Sequence, residues 1–338
     1  MIAVIFSSGI AVMKAQDIHF SQFTLAPLFQ NPAFAGAGHD QQVILNYKDQ
    51  WRSVANPFKT FDATFDMKFS KGKPKSGYWA GGLIFFTDRA GDAKMGTTQG
   101  NLMAAYHVIL DAKSTLGMGI SGGVAQRSVK YDDLRWANQF DGMNYQSTLP
   151  SFEPEAANSL VYPDLGAGLL YNYKKSEGYI TGNDNFKLTL GASLAHPLQP
   201  KYSFYGSDEK LYMKMIVHGY SLIGLKNTPL SLEPAFMYYR QGPAQEIYFG
   251  TMVKYMLKEE SKYTGYVKGS AISFGLYYRN ADALVPAFMI EMGQYSFGMS
   301  YDVNVSKLKT ASFGRGGFEF AFRFVNPNPF IFKSSSSF

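Results

Sequence analysis

Thr60-Phe-Asp-Ala-Thr-Phe-Asp-Met-Lys-Phe69 alternates polar and apolar residues without a break. In an extended chain Phe61, Ala63, Phe65, Met67 and Phe69 share one face, and Thr60, Asp62, Thr64, Asp66 and Lys68 share the other. A period of two is the signature of a β-strand with one greasy and one polar side. The pattern returns near the C-terminus, where Tyr295, Phe297, Met299 and Tyr301 oppose Ser296, Gly298, Ser300 and Asp302. Phe318, Phe320, Phe322 and Phe324 then oppose Glu319, Ala321 and Arg323.

Working outward, strands are expected near 41–49, 59–69, 77–86, 97–110, 114–128, 164–174, 185–195, 211–224, 230–240, 245–257, 265–279, 284–292, 294–303 and 315–325. No helical period of any length interrupts them. Their lengths suit strands that cross a bilayer. Bacterial barrels begin and end in the periplasm, with short inner turns and longer outer loops. The short connections Gly72–Ser76, Asp111–Lys113, Lys175–Asp184, Leu225–Pro229, Lys258–Thr264 and Gly293 all fall on the expected inner side. The long ones, Val129–Pro163 and His196–Lys210, fall on the outer side, with Asn304–Gly314; the hairpin at Gln241–Ala244 is a short exception on that side.

Composition agrees. The 338 residues include 28 Phe, 23 Tyr and 33 Gly, with only 17% charged. Mean hydropathy is −0.15. Many aromatics and glycines with middling hydropathy suit a wall whose lumenal residues dilute its lipid-facing ones. A closed barrel with the polar set inside satisfies the backbone and leaves no edge in lipid. No cysteine means no disulfide and no thiolate site. The net charge of +6 is dispersed, which argues against nucleic acid and leaves acidic lipopolysaccharide and outer-membrane lipid as surroundings. Tyr78, Trp79, Tyr171, Tyr173, Tyr238, Tyr239, Tyr277 and Tyr278 are expected to form interfacial girdles.

The expected organisation is a signal peptide over 1–15, which lacks a basic n-region; a periplasmic or plug segment over 16–40; an all-β, transmembrane antiparallel barrel of about 14 strands over 41–325; and a tail over 326–338. Within the second segment, Gln30-Asn31-Pro32-Ala33 is turn chemistry. Leu28, Phe29 and Phe34 are expected to anchor it in the periplasmic mouth.

The segment Gln16-Asp-Ile-His-Phe20-Ser21-Gln22, followed by Asn31-Pro32-Ala33 and Gly36, resembles the opening of the PorP/SprF family of type IX secretion system membrane proteins of the Bacteroidota. Tyr47-Lys48-Asp49-Gln50-Trp51 is similar to the family's Tyr-Arg-x-Gln-Trp, with Lys48 where Arg is usual. Asp88-Arg-Ala-Gly91, Tyr277-Tyr278-Arg279, Ser300-Tyr301-Asp302 and Gly316-Gly317-Phe318-Glu319 follow in family order, with Phe318 where His is common. The resemblance spans residues 16–325. It implies an integral outer-membrane barrel of a Gram-negative bacterium, without enzymatic activity. Such a barrel supports secretion or surface anchoring of a partner, such as a gliding adhesin with a C-terminal sorting domain, alongside other type IX components. The competing expectation is a passive or substrate-specific porin, and a weaker one is an outer-membrane hydrolase.

Candidate structural or partner-contact residues are Phe20, Ser21, Gln22, Asn31, Pro32, Ala33, Gln50, Trp51, Arg52, Asp88, Gly91, Trp136, Tyr301, Asp302 and Glu319. Trp136 lies in the long 129–163 loop with Tyr131, Phe140, Tyr145 and Phe152. Such a loop either recognises a partner through its aromatics or folds inward as a plug. Asp62, Asp66, Lys68, Glu319 and Arg323 are lumenal charges that either hold an inner plug or the N-terminal segment Phe20–Gly36, or line a hydrated polar lumen. No catalytic residue, cofactor or metal is expected. Gly117-Met-Gly-Ile-Ser-Gly122 matches a dinucleotide-loop spelling but sits within a strand and opens no helix. The five histidines lack ligand spacing and are expected to be solvated or interfacial. Asp88–Asp92 lacks the alternating carboxylates of a calcium loop.

Overall fold

Alternation on strand after strand closes the chain on itself. The computed structural model describes residues 17–326 apart from 53–55, 70–75, 92, 132–133, 153–156, 176–182, 184, 259–268 and 307–308. The expected signal peptide, most of the tail and much of three inner turns lie outside the described residues.

The strands are β1 (Gln41–Gln50), β2 (Phe58–Lys68), β3 (Gly77–Ala90), β4 (Met95–Ile109), β5 (Ser114–Ser128), β6 (Ser159–Lys175), β7 (Phe186–Ala195), β8 (Lys214–Gly224), β9 (Leu230–Gln241), β10 (Ala244–Lys258), β11 (Ser270–Arg279), β12 (Ala283–Met292), β13 (Tyr295–Asn304) and β14 (Arg315–Asn326). Each pairs antiparallel with its sequence neighbours, and β1 pairs with both β2 and β14, so the barrel is closed. The closing seam runs in unbroken register from Gln41↔Asn326 to Gln50↔Gly317. The closed sheet therefore has no edge strand, the condition for a sheet in hydrocarbon.

The two faces behave as the alternation requires. On β2, Phe61 and Phe65 are 39% and 40% exposed on the outer wall, whereas Asp62 and Asp66 are buried inside. Phe297, Met299, Phe318 and Phe320 also face outward, and Ser296, Ser300, Asp302 and Glu319 inward. The outer wall is thus a belt of Phe, Leu and Met.

Two expectations need correction. The strand expected from 164 begins at Ser159 and carries Pro163 within it. At Pro163 β6 has a partner only in β5, since its pairing with β7 starts at Gly166; proline is tolerated where one side of the strand is unpaired. The girdle assignment also fails for one member of each consecutive pair, Tyr78-Trp79, Tyr238-Tyr239 and Tyr277-Tyr278. Consecutive residues in a strand point to opposite faces. Tyr78, Tyr239 and Tyr277 are therefore buried in the lumen, while Trp79 is exposed and Tyr238 and Tyr278 are half-exposed on the outside.

Candidate functional site

The lumen is occupied by residues 17–40, a strap of short turns that crosses the barrel interior. At its leading end Asp17 lies beside His196 and Lys214, on the side of the long connections 129–158 and 196–213. At its far end the Gly36 N–H donates to Asp66 near the opposite end of β2. The segment expected at the mouth therefore runs through the interior, and Leu28 packs with Ala35, Ile84, Met103 and Ala105 deep within it.

Strap geometry follows from its sequence. Pro27 opens the single-turn helix α1 (Pro27–Gln30), and Pro32 opens the 3-10 turn Pro32–Phe34, positions where a missing N–H costs nothing. Asn31 caps the second turn by accepting the Ala33 N–H at 2.9 Å. Its amide nitrogen then donates to the wall carbonyls of Leu169 (2.9 Å) and Ala192 (3.3 Å), and lies 3.2 Å from His218 Nε2. The turn sits this close because the wall beneath it is glycine. A Cβ on Gly119 would overlap the Pro32–Ala33 peptide, and one on Gly168 would overlap the Asn31 amide. The glycine spelling of β5 is thus a floor for Asn31-Pro32-Ala33.

A second anchor lies toward the long-loop end. Glu319 accepts the consecutive N–H groups of Ser21 and Gln22, both at 2.7 Å, and its carbonyl accepts the Gln22 side chain. Lys48 donates to the His19 carbonyl (2.9 Å) and the Ser21 hydroxyl (3.1 Å), with Glu319 at 3.7 Å and Asp302 at 3.9 Å. Arg279 donates to Asp302 at 2.9 Å and to the Tyr248 hydroxyl. Lys48, Arg279, Asp302 and Glu319 are almost wholly buried, and each finds an opposite charge, as burial demands. Phe23 packs its ring among Tyr220, Tyr248 and Tyr277. Its full burial contributes about 2 kcal/mol.

The leading end is latched by a carboxylate–imidazole–carboxylate bridge. His196 Nδ1 lies 2.5 Å from Asp164, and its Nε2 lies 2.8 Å from Asp17. Asp164 also accepts from the amides of Gln99 (2.6 Å) and Asn101 (2.7 Å). His196 follows β7 and stands outside the strands. Burial alone would lower its pKa, but hydrogen bonds and charge from Asp164 and Asp17 override this and raise it to about 9. Burial likewise disfavours the Asp17 anion, yet Lys214 and His196 hold its carboxyl well below the ordinary range.

The structure therefore brings Ser21, Gln22, Asp302 and Glu319 into one cluster, and Asn31, Pro32 and Ala33 into another. Phe20 is buried edge-on to Phe29. The other candidates lie apart. Gln50 pairs with Gly317 at the closing seam, Trp51 has φ +58° and packs on Phe58, and Arg52 is exposed and pairs with Asp49. Gly91 supplies the positive φ of the β3–β4 turn. Tyr301 packs on Phe318 beside its inward neighbour Asp302. Trp136 is half-buried within the long loop, whose Phe140, Met143 and Phe152 are exposed.

Lys48 and Arg279 stand in the quoted motifs without an assigned contact, and Asp164 and His196 are not among the sequence candidates, though inward parity marks Lys48, Asp164 and Arg279. The expectation of solvated histidines fails for His107 and His218. Both are fully buried, stacked on Tyr78 and Phe34 respectively, with His107 Nε2 2.8 Å from the Ala35 carbonyl. Three or more His, Cys, Asp or Glu grouped to hold a metal do not occur among the described residues.

No curated protein matches the chain. Solved structures similar to it include the toluene transporter TbuX of Ralstonia pickettii, at 10% identity and TM-score 0.44, covering 89% of this chain and 93% of that one. A TodX monoaromatic hydrocarbon channel mutant is 9% identical with TM-score 0.45, covering 88% and 92%. BamA from Haemophilus ducreyi lacking POTRA domains 1–3 is 7% identical with TM-score 0.40, covering 85% and 70%. Residues 12–324 match the family described as type IX secretion system membrane protein PorP/SprF. With nearly the whole chain matched and a closed fourteen-stranded barrel to carry it, the protein belongs to the PorP/SprF family and is an integral outer-membrane protein.

Proposed function

We propose that this barrel serves as a partner-bearing component of type IX secretion, supporting export or surface anchoring of a large protein with a C-terminal sorting domain, such as a gliding adhesin. The observation that carries this reading is the strap. It crosses the lumen and is held at both ends and in the middle, which suits a sealed platform rather than a passive pore. Family membership supplies the secretion context. The long-loop rim supplies the contact surface. Phe140, Met143 and Phe152 of one loop and Tyr205 and Tyr212 of the next are more than half exposed there, and aromatics with methionine are enriched at interface cores. Lipopolysaccharide and outer-membrane lipid surround the wall, and residues 1–15 act as the export signal.

The test is affinity purification of the tagged chain from native outer membrane. Recovery of a sorting-domain protein or another type IX component is expected. Replacing Phe140, Met143 and Phe152 together by Ser should abolish that recovery while the barrel still migrates anomalously in unheated detergent gels. Recovery of no such partner, together with solute uptake that depends on the chain, would move the assignment to a porin.

A further inference from the structure

Between the strap and the walls of β3–β8 lies a cavity of about 230 Å³, roofed by Tyr202 of the 196–213 connection and floored by Leu28, Ile84 and Phe86. That is the liquid volume of about eight water molecules, the scale of a leucine- or phenylalanine-sized solute. Two half-buried charged side chains on its lining have no ion-pair partner among the described residues. Asp88 accepts one hydrogen bond, from the Thr60 hydroxyl at 2.7 Å, and has no ion pair among the described residues. Arg127 stacks on Tyr202 at 4.1 Å, donates to the Tyr202 carbonyl at 3.5 Å and to the Met95 sulfur at 3.3 Å, and has no carboxylate partner among the described residues. The other charges nearby, Asp17, Asp164, His196 and Lys214, are engaged with one another.

Register fixes the spacing of the two free charges. Asp88 is opposite Thr97, and Thr97 is opposite Arg127, so all three occupy one inward row on β3, β4 and β5. Their outer members stand two strand spacings apart, about 10 Å between Cα atoms. An anion and a cation facing one small cavity, above an apolar floor, are the complement of a molecule with an ammonium, a carboxylate and an apolar side chain.

We propose that this cavity is a binding site for a small apolar zwitterion of the α-amino acid class. The ligand's ammonium pairs with Asp88, its carboxylate pairs with the Arg127 guanidinium, and its side chain lies against Phe86 and Leu28. This goes beyond the secretion role and stands or falls separately from it.

The test is calorimetric titration of the purified full chain in detergent with L-leucine and L-phenylalanine. 2-Phenylethylamine and 3-phenylpropionate serve as single-charge controls. At least one amino acid should bind saturably, about tenfold or more tighter than either control, because each control leaves one charge of this half-buried pair unmatched. Asp88→Asn and Arg127→Gln should each weaken amino-acid binding about tenfold or more while heat-modifiable migration persists. Absence of saturable binding by both amino acids, equal affinity for the controls, or undiminished binding in both folded variants would overturn the proposal. Partner recovery from native membrane is a separate measurement, so failure here leaves the secretion reading intact.

Discussion

Replacing Glu319 by Ala tests how the strap is held. The carboxylate is 1% exposed, accepts two N–H groups at 2.7 Å and lies 3.7 Å from Lys48. Removing it leaves the Ser21 and Gln22 amides without acceptors and takes one of two anions from Lys48. Removal of one member of a buried ion pair costs about 3–5 kcal/mol. Hydrogen bonds to a charged group are worth about 1.5–3 kcal/mol each and overlap with that figure rather than adding to it. The ratio of docked to open strap near Ser21 should therefore fall by roughly 10²–10⁴. Hydrogen exchange of the detergent-solubilised barrel reads this directly, since local opening sets the rate at protected amides. The Ser21 and Gln22 amides should exchange roughly 10²-fold or more faster. Gly36, bonded to Asp66 at the other end, should keep its protection. Glu319→Gln, which keeps the volume and one acceptor, should fall between the two. Unchanged exchange at Ser21 and Gln22 in Glu319→Ala would refute the view that this carboxylate holds the strap.

Two further expectations follow from the other anchors. Gly119→Val puts side-chain atoms where the Pro32–Ala33 peptide lies, so the turn must leave its floor. Overpacking of this kind costs about 1–3 kcal/mol, and limited proteolysis should cut the strap near Asn31 sooner in the variant than in the parent. The His196 latch should be pH-dependent. A raised imidazole pKa means its contribution is fully present below about 6.5, the unfolded value, and is lost as pH rises through about 9. The lowered Asp17 pKa works at the other limit, contributing above the ordinary carboxyl range and fading only in strong acid. With Ile18→Cys, labelling should speed up between pH 7 and pH 10 by more than the rise in thiolate shown by a freely exposed cysteine, and His196→Gln should remove that excess.

How much of this was legible follows from what each signal needs. A strand announces itself locally, so Phe61-Asp62 and Phe297-Gly298 disclose both their conformation and their inward face. Where parity was set aside the reading failed. Tyr277 and Tyr278 cannot both belong to an outer girdle, and Tyr277 instead packs on Phe23. The Asn31-Pro32 turn was legible from cap chemistry, because the donor that Asn31 satisfies is two residues away. The clamp on Ser21 was not, since Glu319 lies 298 residues further on and meets it only after β1 and β14 close the barrel. The same holds for His196. Its partners Asp17 and Asp164 come from the strap and from β6, and no spacing in the chain marks them as a set. Gly119 shows the converse. Its spelling was visible and its mechanism was not, because the turn it accommodates comes from a segment some 85 residues earlier in the chain.

The central claim is that the strap seals the lumen, so that the barrel presents a partner surface rather than a pore. Planar-bilayer recording of the full chain beside a variant lacking residues 17–36 tests it most directly. The full chain should be electrically silent and the deletion should show stable open conductance. Steady conductance from the full chain, equal to that of the deletion, would contradict the account.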